Sequence, residues 1–75
     1  MKEKFIETLK EALEVKTIEV NLEDKLADYD SWDSMSRLSL VALLDENFEV
    51  QVADAEFDKT ETVEDLYLLV KSRIE

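Results

Sequence analysis

The stretch that decides the fold is residues 33–48, which run Asp-Ser-Met-Ser-Arg-Leu-Ser-Leu-Val-Ala-Leu-Leu-Asp-Glu-Asn-Phe. Asp33 and Ser34 are residue types that cap the start of a helix, and the sequence has no glycine or proline to interrupt one, so we predict a helix over residues 34–48. At about 100° per residue, the apolar side chains fall on two faces of this helix. The first face carries Leu40, Val41, Leu44 and Phe48. The second face carries Met35, Leu38 and Ala42. Only one face can fill the core of so short a chain, so we expect the second to meet a partner.

The part of the chain before this helix predicts a first helix and then a long loop. Residues 2–15 place apolar side chains at helical spacing and predict an amphipathic helix. From Val15 to Val20 the apolar residues alternate and are β-branched, which weakens the helical pattern. Residues 16–33 then hold scattered apolar anchors among acids. We expect them to form a long structured loop, an arrangement that is often functional.

The part of the chain after the central helix predicts one short and one long helix. Asp54 is the predicted cap of a short helix over roughly residues 54–59. Thr62 followed by Asp65 resembles a capping box, with Asp in place of Glu. It would open a last helix over about residues 63–74, whose apolar side chains recur at helical spacing.

The length and the net charge of the chain limit the class of protein to which it can belong. With 75 residues, of which 45% are hydrophobic, residues 1–75 predict one all-α domain. We expect a small four-helix bundle of three longer helices and one short helix. Nine basic against 20 acidic residues give a net charge of −11, which argues against binding to nucleic acids and to anionic membrane surfaces. No stretch approaches 18 consecutive apolar residues, so we expect no membrane insertion. Proteins with basic docking surfaces are the expected partners of a chain that is itself monomeric.

The absence of cysteine and histidine removes the usual thiolate and imidazole chemistry. Asp45 and Glu46 are adjacent on a helix and point in different directions, so they do not make a catalytic pair. Asp28, Asp30 and Asp33 lack the glycine and glutamate that a calcium loop needs. We therefore expect no enzyme activity and no metal site. The lack of cysteines and of an apolar leader is typical of a cytoplasmic protein.

The candidate functional residue at the start of the central helix is Ser34. Its hydroxyl would lie beside unpaired backbone N–H groups at the positive end of the helix dipole, which favours a phosphodiester on that oxygen. Capping alone would also explain a serine at this position, and the motif by itself favours capping.

The segment from Trp32 to Val52 closely resembles the acyl carrier protein family. In that family Asp-Ser-Leu opens a helix and is followed by an apolar run, acids and Phe. Here Met35 replaces the Leu, and Phe48 follows Ser34 by 14 residues. The resemblance implies that a phosphopantetheinyl transferase attaches 4′-phosphopantetheine from coenzyme A to Ser34. The thiol of this arm would hold an acyl or aminoacyl group as a thioester and pass it between partner enzymes.

The resemblance also assigns the second apolar face to docking. The residues that match the family's contact positions are Asp33, Met35, Leu38, Ala42, Asp45 and Glu46. The implied partners are the transferase, an acyl- or aminoacyl-loading ligase, and acyl-transferring enzymes with basic docking surfaces. Arg37 departs from fatty-acid carriers, which often have acids here, and is predicted to put a positive charge on this face. This departure favours a stand-alone carrier of a specialised pathway.

Several alternatives stay open at this point. The spelling Asp-Ser-Met is also similar to the D-alanyl carrier proteins of cell-wall modification, and fatty-acid, polyketide and other glycan-modifying pathways are further options. A different class is an acidic interaction adaptor without a prosthetic group. Ser31 lies in a second Asp-Ser-apolar motif just before the first. It precedes the helix, however, and lies 17 residues from Phe48, which breaks the family spacing. We therefore expect Ser34, rather than Ser31, to be the acceptor.

Overall fold

The computed structural model describes residues 2–14 and 19–74. Its elements are, in chain order, α1 (Lys2–Leu13), a 3₁₀ turn (Leu26–Asp28), α2 (Ser34–Phe48), α3 (Asp54–Phe57) and α4 (Val63–Ile74). The ranges described contain no strand, and the predicted all-α fold with three longer helices and one short helix is confirmed. Residues 15–18, where the alternating pattern begins, lie outside the described residues.

One hydrophobic core holds the elements together. Its fully buried side chains are Phe5, Leu9, Leu13, Leu26, Leu40, Leu44, Val63, Leu66 and Val70. Each longer helix contributes residues three or four positions apart, because that spacing places them on one face. The predicted core face of α2 is confirmed at Leu40 and Leu44, whereas Val41 and Phe48 are half-buried at its edge. Burying a side chain of this size contributes about 1.5–3 kcal/mol.

The end of α2 turns the chain back towards this core. Glu49 follows the helix in the left-handed conformation, with φ 57° and ψ 37°, and its N–H donates to the Asp45 carbonyl at 3.0 Å. Glycine usually takes this position, but the sequence has none, so a residue with a Cβ bears a cost of about 1–2 kcal/mol. The turn delivers Val50 and Val52 into the core, where both are buried.

The described part of the long loop between α1 and α2 is hydrogen-bonded to the start of α4, a contact that the sequence did not predict. The Val63 N–H donates to the Asp24 carbonyl and the Glu64 N–H to the Leu22 carbonyl, both at 2.9 Å. The first N–H groups of a helix have no partner within the helix, so the loop satisfies two of them in α4. Leu26 is buried beside these contacts.

The start of α3 differs from the prediction, whereas the start of α4 confirms it. Asp54 is the first residue of α3 rather than its cap, and the helix is two residues shorter than predicted. Ala53 takes the cap position, and its N–H donates to the Glu56 carboxylate at 2.8 Å. Glu56 thus satisfies the N–H of the cap residue, whereas the capping expected from Asp54 would have satisfied an N–H inside the helix. In α4, the Thr62 N–H donates to Asp65 and the Asp65 N–H donates to Thr62 Oγ1, both at 3.1 Å.

Candidate functional site at the start of α2

The first turn of α2 is fixed by a reciprocal pair of hydrogen bonds. The Ser36 N–H donates to Asp33 Oδ1 and the Asp33 N–H donates to Ser36 Oγ, both at 2.9 Å. Asp33 has extended backbone angles, which is normal for the residue that caps a helix. Ser36 is buried, whereas Asp33 is exposed to solvent. The two residues between them, Ser34 and Met35, are therefore held in a defined place at the surface.

Ser34 is the first residue of α2 and is exposed to solvent. Within the described part of the chain, the N–H groups of Ser34 and Met35 have no hydrogen-bond acceptor. These groups carry the positive end of the helix dipole, which stabilises an anion placed beside them. The residues present therefore fit a phosphodiester on the Ser34 hydroxyl, in both access and electrostatics.

Ser31 has a different environment from Ser34. Its side chain is half-buried, and its Oγ is buried with no hydrogen-bond partner in the ranges that the structure describes. An enzyme that transfers a group to a hydroxyl must first reach it, and Ser31 Oγ is closed to such an approach. Of these two serines, only Ser34 is exposed to solvent.

The residues predicted to meet partners all lie on the solvent side of α2. Met35 is 78% exposed, Leu38 is 62% exposed, and Ala42 is also exposed. These three follow one another at spacings of three and four residues, so they form one apolar strip along the helix. The acids Asp33, Asp45 and Glu46 are exposed as well. We call these six residues the docking face.

Arg37 does not belong to the docking face, and the prediction that it places a positive charge there is wrong. Its Nη2 donates to the Asp54 carbonyl at 2.8 Å and to Asp58 Oδ1 at 2.9 Å, and its Nε lies 3.1 Å from Asp54 Oδ1. The guanidinium also lies 6.0 Å from the ring centre of Trp32 and 5.7 Å from that of Phe57. The long side chain of Arg37 reaches α3, and these contacts leave only 19% of it exposed to solvent.

Groups with shifted pKa values serve the helix starts and the long loop rather than this site. The carboxyl groups with lowered pKa values are Asp24, Glu56 and Asp65. The largest cause in each is a hydrogen bond from a backbone N–H, that of Asn21, Ala53 and Glu61 respectively. These carboxylates are structural acceptors, so their lowered pKa values give no indication of acid–base catalysis.

Residues 2–14 and 19–74 contain no group of three or more acidic side chains placed to hold a metal ion. In the same ranges, no helix has both the length and the apolar character that crossing a membrane requires.

An acidic helical bundle with a fixed, exposed serine at a helix start is suited to carry a covalent group there. The family model described as "phosphopantetheine attachment site" matches residues 3–70, and the chain therefore belongs to this family of carrier proteins. The prosthetic group predicted from the sequence, covalently bound 4′-phosphopantetheine, is confirmed at the level of the family.

The comparison with solved structures agrees. The fold is similar to the solution NMR structure of the holo acyl carrier protein from Geobacter metallireducens, with a TM-score of 0.79 and 25% sequence identity. The match covers 96% of this chain and 83% of that chain. No curated protein sequence matches this chain significantly. The resemblance to acyl carrier proteins is thus confirmed by the family model and by the fold.

Proposed function

We propose that this protein is an acyl carrier that bears its 4′-phosphopantetheine arm on Ser34, with residues 1–75 acting as one carrier domain. The observation that supports this site is the contrast between the exposed side chain of Ser34 and the buried Oγ of Ser31. When bound, the arm supplies a thiol that forms thioesters, which the chain cannot supply because it has no cysteine. The cargo is an acyl group, with an aminoacyl group such as D-alanyl as the alternative.

The chain's own residues have two tasks in this function. The first is to present the acceptor hydroxyl, which the Asp33–Ser36 cap does by fixing the first turn of α2 around Ser34. The second is to stabilise the phosphodiester, for which the free N–H groups of Ser34 and Met35 provide the positive end of the helix dipole. Neither task requires acid–base catalysis by this chain, so the transfer chemistry belongs to partner enzymes.

The docking face supports recognition by those enzymes. Its apolar strip offers area that a partner can cover, and its acids attract basic side chains. Because Arg37 is paired with α3, no cation opposes that attraction from within the strip. A net charge of −11 further accelerates the encounter with a basic surface. The partners we propose are the phosphopantetheinyl transferase, a loading ligase and acyl-transferring enzymes with basic docking surfaces.

The mass of the intact protein tests the attachment site. The apo-protein is incubated with coenzyme A, Mg²⁺ and a broad-specificity phosphopantetheinyl transferase, together with the variants Ser34→Ala and Ser31→Ala. We expect a single added arm in the wild type and in Ser31→Ala, and none in Ser34→Ala. An arm retained by Ser34→Ala would refute the site. No arm on the wild type with several transferases would favour the acidic interaction adaptor instead.

A matched pair of leucines tests the docking face. Leu38 on α2 is 62% exposed and Leu68 on α4 is 53% exposed, so each can be shortened without opening the core. We expect Leu38→Ala to raise the transferase KM for the carrier about fivefold, the effect of losing about 1 kcal/mol at an interface. Leu68→Ala should leave this KM unchanged. Equal effects of the two substitutions would show that the partner does not use α2.

The cargo is decided by loading the arm. The holo-protein is incubated with ATP and either a fatty-acid ligase or an amino-acid ligase, and the added mass is measured. Loading of a fatty acid alone supports the acyl carrier, and loading of an amino acid alone supports the aminoacyl alternative. The holo form of Ser31→Ala serves as the control, because it keeps the proposed site and should accept the same cargo.

A further inference from the structure

Arg37 lies one helical turn after Ser34, the residue proposed to bear the arm. Residues three apart on a helix are neighbours, with Cβ atoms about 5–6 Å apart. Arg37 is the only cationic residue in α2, as the sequence of that helix shows. A phosphodiester on Ser34 would therefore have Arg37 as its nearest cation along α2.

The guanidinium of Arg37 is held by only some of its donors. Of its five N–H groups, those of Nη2 donate to the Asp54 carbonyl and to Asp58. Nε is buried and lies 3.1 Å from Asp54 Oδ1, but its N–H makes no hydrogen bond within the described residues. Nη1 has no acceptor within residues 2–14 and 19–74. One side of the fork is thus anchored on α3 while the other keeps two donors free.

The anchored guanidinium is also packed against the segment that leads into Ser34. It lies close to the rings of both Trp32 and Phe57, and these two rings meet edge to face with centres 5.8 Å apart. Trp32 precedes Ser34 by two residues. Because the arginine is already ordered by these contacts, binding an anion with its free donors would cost little further side-chain entropy.

We propose that Arg37 binds the phosphodiester on Ser34 through Nη1 while its Nη2 stays hydrogen-bonded to Asp54 and Asp58. The inference rests on the proposed function, because it needs the arm on Ser34. Arginine suits this task, since its planar fork can hold a phosphate and a carboxylate on different edges. The phosphodiester of the arm would then join the contact between α2 and α3. Attaching the arm would therefore reduce local opening of α3.

Hydrogen exchange of the α3 region tests this inference without any assay of carrier activity. The reporters are the N–H groups of Asp58 and Lys59, which donate within and just after α3. Exchange is measured in apo and holo forms of the wild type, Arg37→Gln and Lys25→Gln. The last variant is the matched control, because it removes one positive charge from an exposed ion pair with Glu61 that involves neither α2 nor α3. Intact mass with peptide mapping verifies in each holo sample that the arm is on Ser34.

We expect the arm to slow exchange at these N–H groups about tenfold in the wild type and in Lys25→Gln, and to leave it unchanged in Arg37→Gln. Equal slowing in the wild type and in Arg37→Gln would overturn the inference, and so would faster exchange in the wild type. A wild type that takes no arm on Ser34 overturns the proposed function as well, which the mass reveals before any exchange is measured.

A second variant guards against the loss of folding in Arg37→Gln. Arg37→Lys keeps the charge but not the fork, so it cannot hold α3 and the phosphodiester on separate edges. We expect the ³¹P resonance of the holo-protein to differ between the wild type and this variant, and the arm to slow exchange less in the variant. Identical ³¹P resonances and identical exchange in the two proteins would contradict a contact between Arg37 and the phosphodiester.

Discussion

Asp33 and Ser36 cap each other at the start of α2, each accepting a hydrogen bond from the backbone N–H of the other at 2.9 Å. In a capping box the second partner is usually Glu or Gln, and here a short hydroxyl takes that place. The Ser36 hydroxyl also donates to the Asp33 carbonyl at 3.0 Å, so both of its hydrogen bonds within the described residues are with Asp33. The proposed acceptor, Ser34, is enclosed by this pair in sequence and is exposed in space.

The first prediction concerns this cap. Ser36→Ala removes the hydroxyl that accepts the Asp33 N–H and should lower the free energy of unfolding by about 1 kcal/mol, or 4–8 °C in Tm. Ser39→Ala is the control, since Ser39 lies on the same helix but is exposed. Thermal unfolding followed by circular dichroism measures both. If the two variants melted together, the Asp33–Ser36 pair would not be what stabilises the start of α2.

The second prediction separates the two apolar faces of α2 by their effect on stability. Leu40 is fully buried, so Leu40→Ala should cost about 2–5 kcal/mol, a large part of the total stability of a small domain. Leu38→Ala removes the same atoms from an exposed position and should change the stability by less than about 0.5 kcal/mol. Urea unfolding gives both values. A large loss for Leu38→Ala would mean that the docking face is part of the core.

The features that the sequence predicted well are those that depend on neighbouring residues. The bounds of α2 follow from Asp33 and Ser34 at one end and from the apolar spacing of the helix, and the structure confirms both ends at Ser34 and Phe48. The box of Thr62 and Asp65 opens α4 as predicted. Caps and periodicity act over three or four residues, so a single sequence contains them.

The features that the sequence did not predict depend on contacts across the fold. The sequence shows only that Arg37 lies in the same helix as the docking face. The pairing of Arg37 with Asp54 and Asp58 spans 17 and 21 residues, so it depends on how the chain folds. The residue type of Asp54 predicts that it caps α3, whereas Ala53 occupies the cap position and its N–H donates to Glu56. The burial of Ser31 Oγ likewise depends on the folded chain.

The third prediction is a pH dependence that comes from Asp65. Hydrogen bonds from the backbone N–H groups of Glu61 and Thr62 lower the pKa of Asp65 below its ordinary value. A carboxyl group whose pKa is lower in the folded state stabilises the fold above its unfolded pKa of about 3.9, and this contribution is lost as the pH falls through the folded value. The stability difference between the wild type and Asp65→Asn should therefore be largest near neutral pH and should shrink below about pH 4.

Urea unfolding of both proteins between neutral and acidic pH measures this difference. Acid also relieves the repulsion among the many carboxylates, but it does so in both proteins, so that effect cancels in the comparison. Asp45→Asn is the control, because Asp45 is exposed on the docking face and its side chain makes no hydrogen bond among the described residues. A difference between the wild type and Asp65→Asn that stayed constant with pH would rule out this origin.

The fourth prediction compares the replacement of glutamate by glycine just after α2, at position 49, with the same replacement within α2, at position 46. Glu49 has a left-handed backbone with φ 57°, which glycine adopts without the clash that a Cβ causes. Glu49→Gly should therefore raise the free energy of unfolding by about 0.5–1 kcal/mol, the relief of the clash less the greater flexibility of glycine in the unfolded chain. Glu46→Gly lies within α2 and should lower it by about 1 kcal/mol. Both variants lose one negative charge, so a change in charge repulsion would shift them in the same direction, and only the backbone explanation gives opposite shifts in Tm.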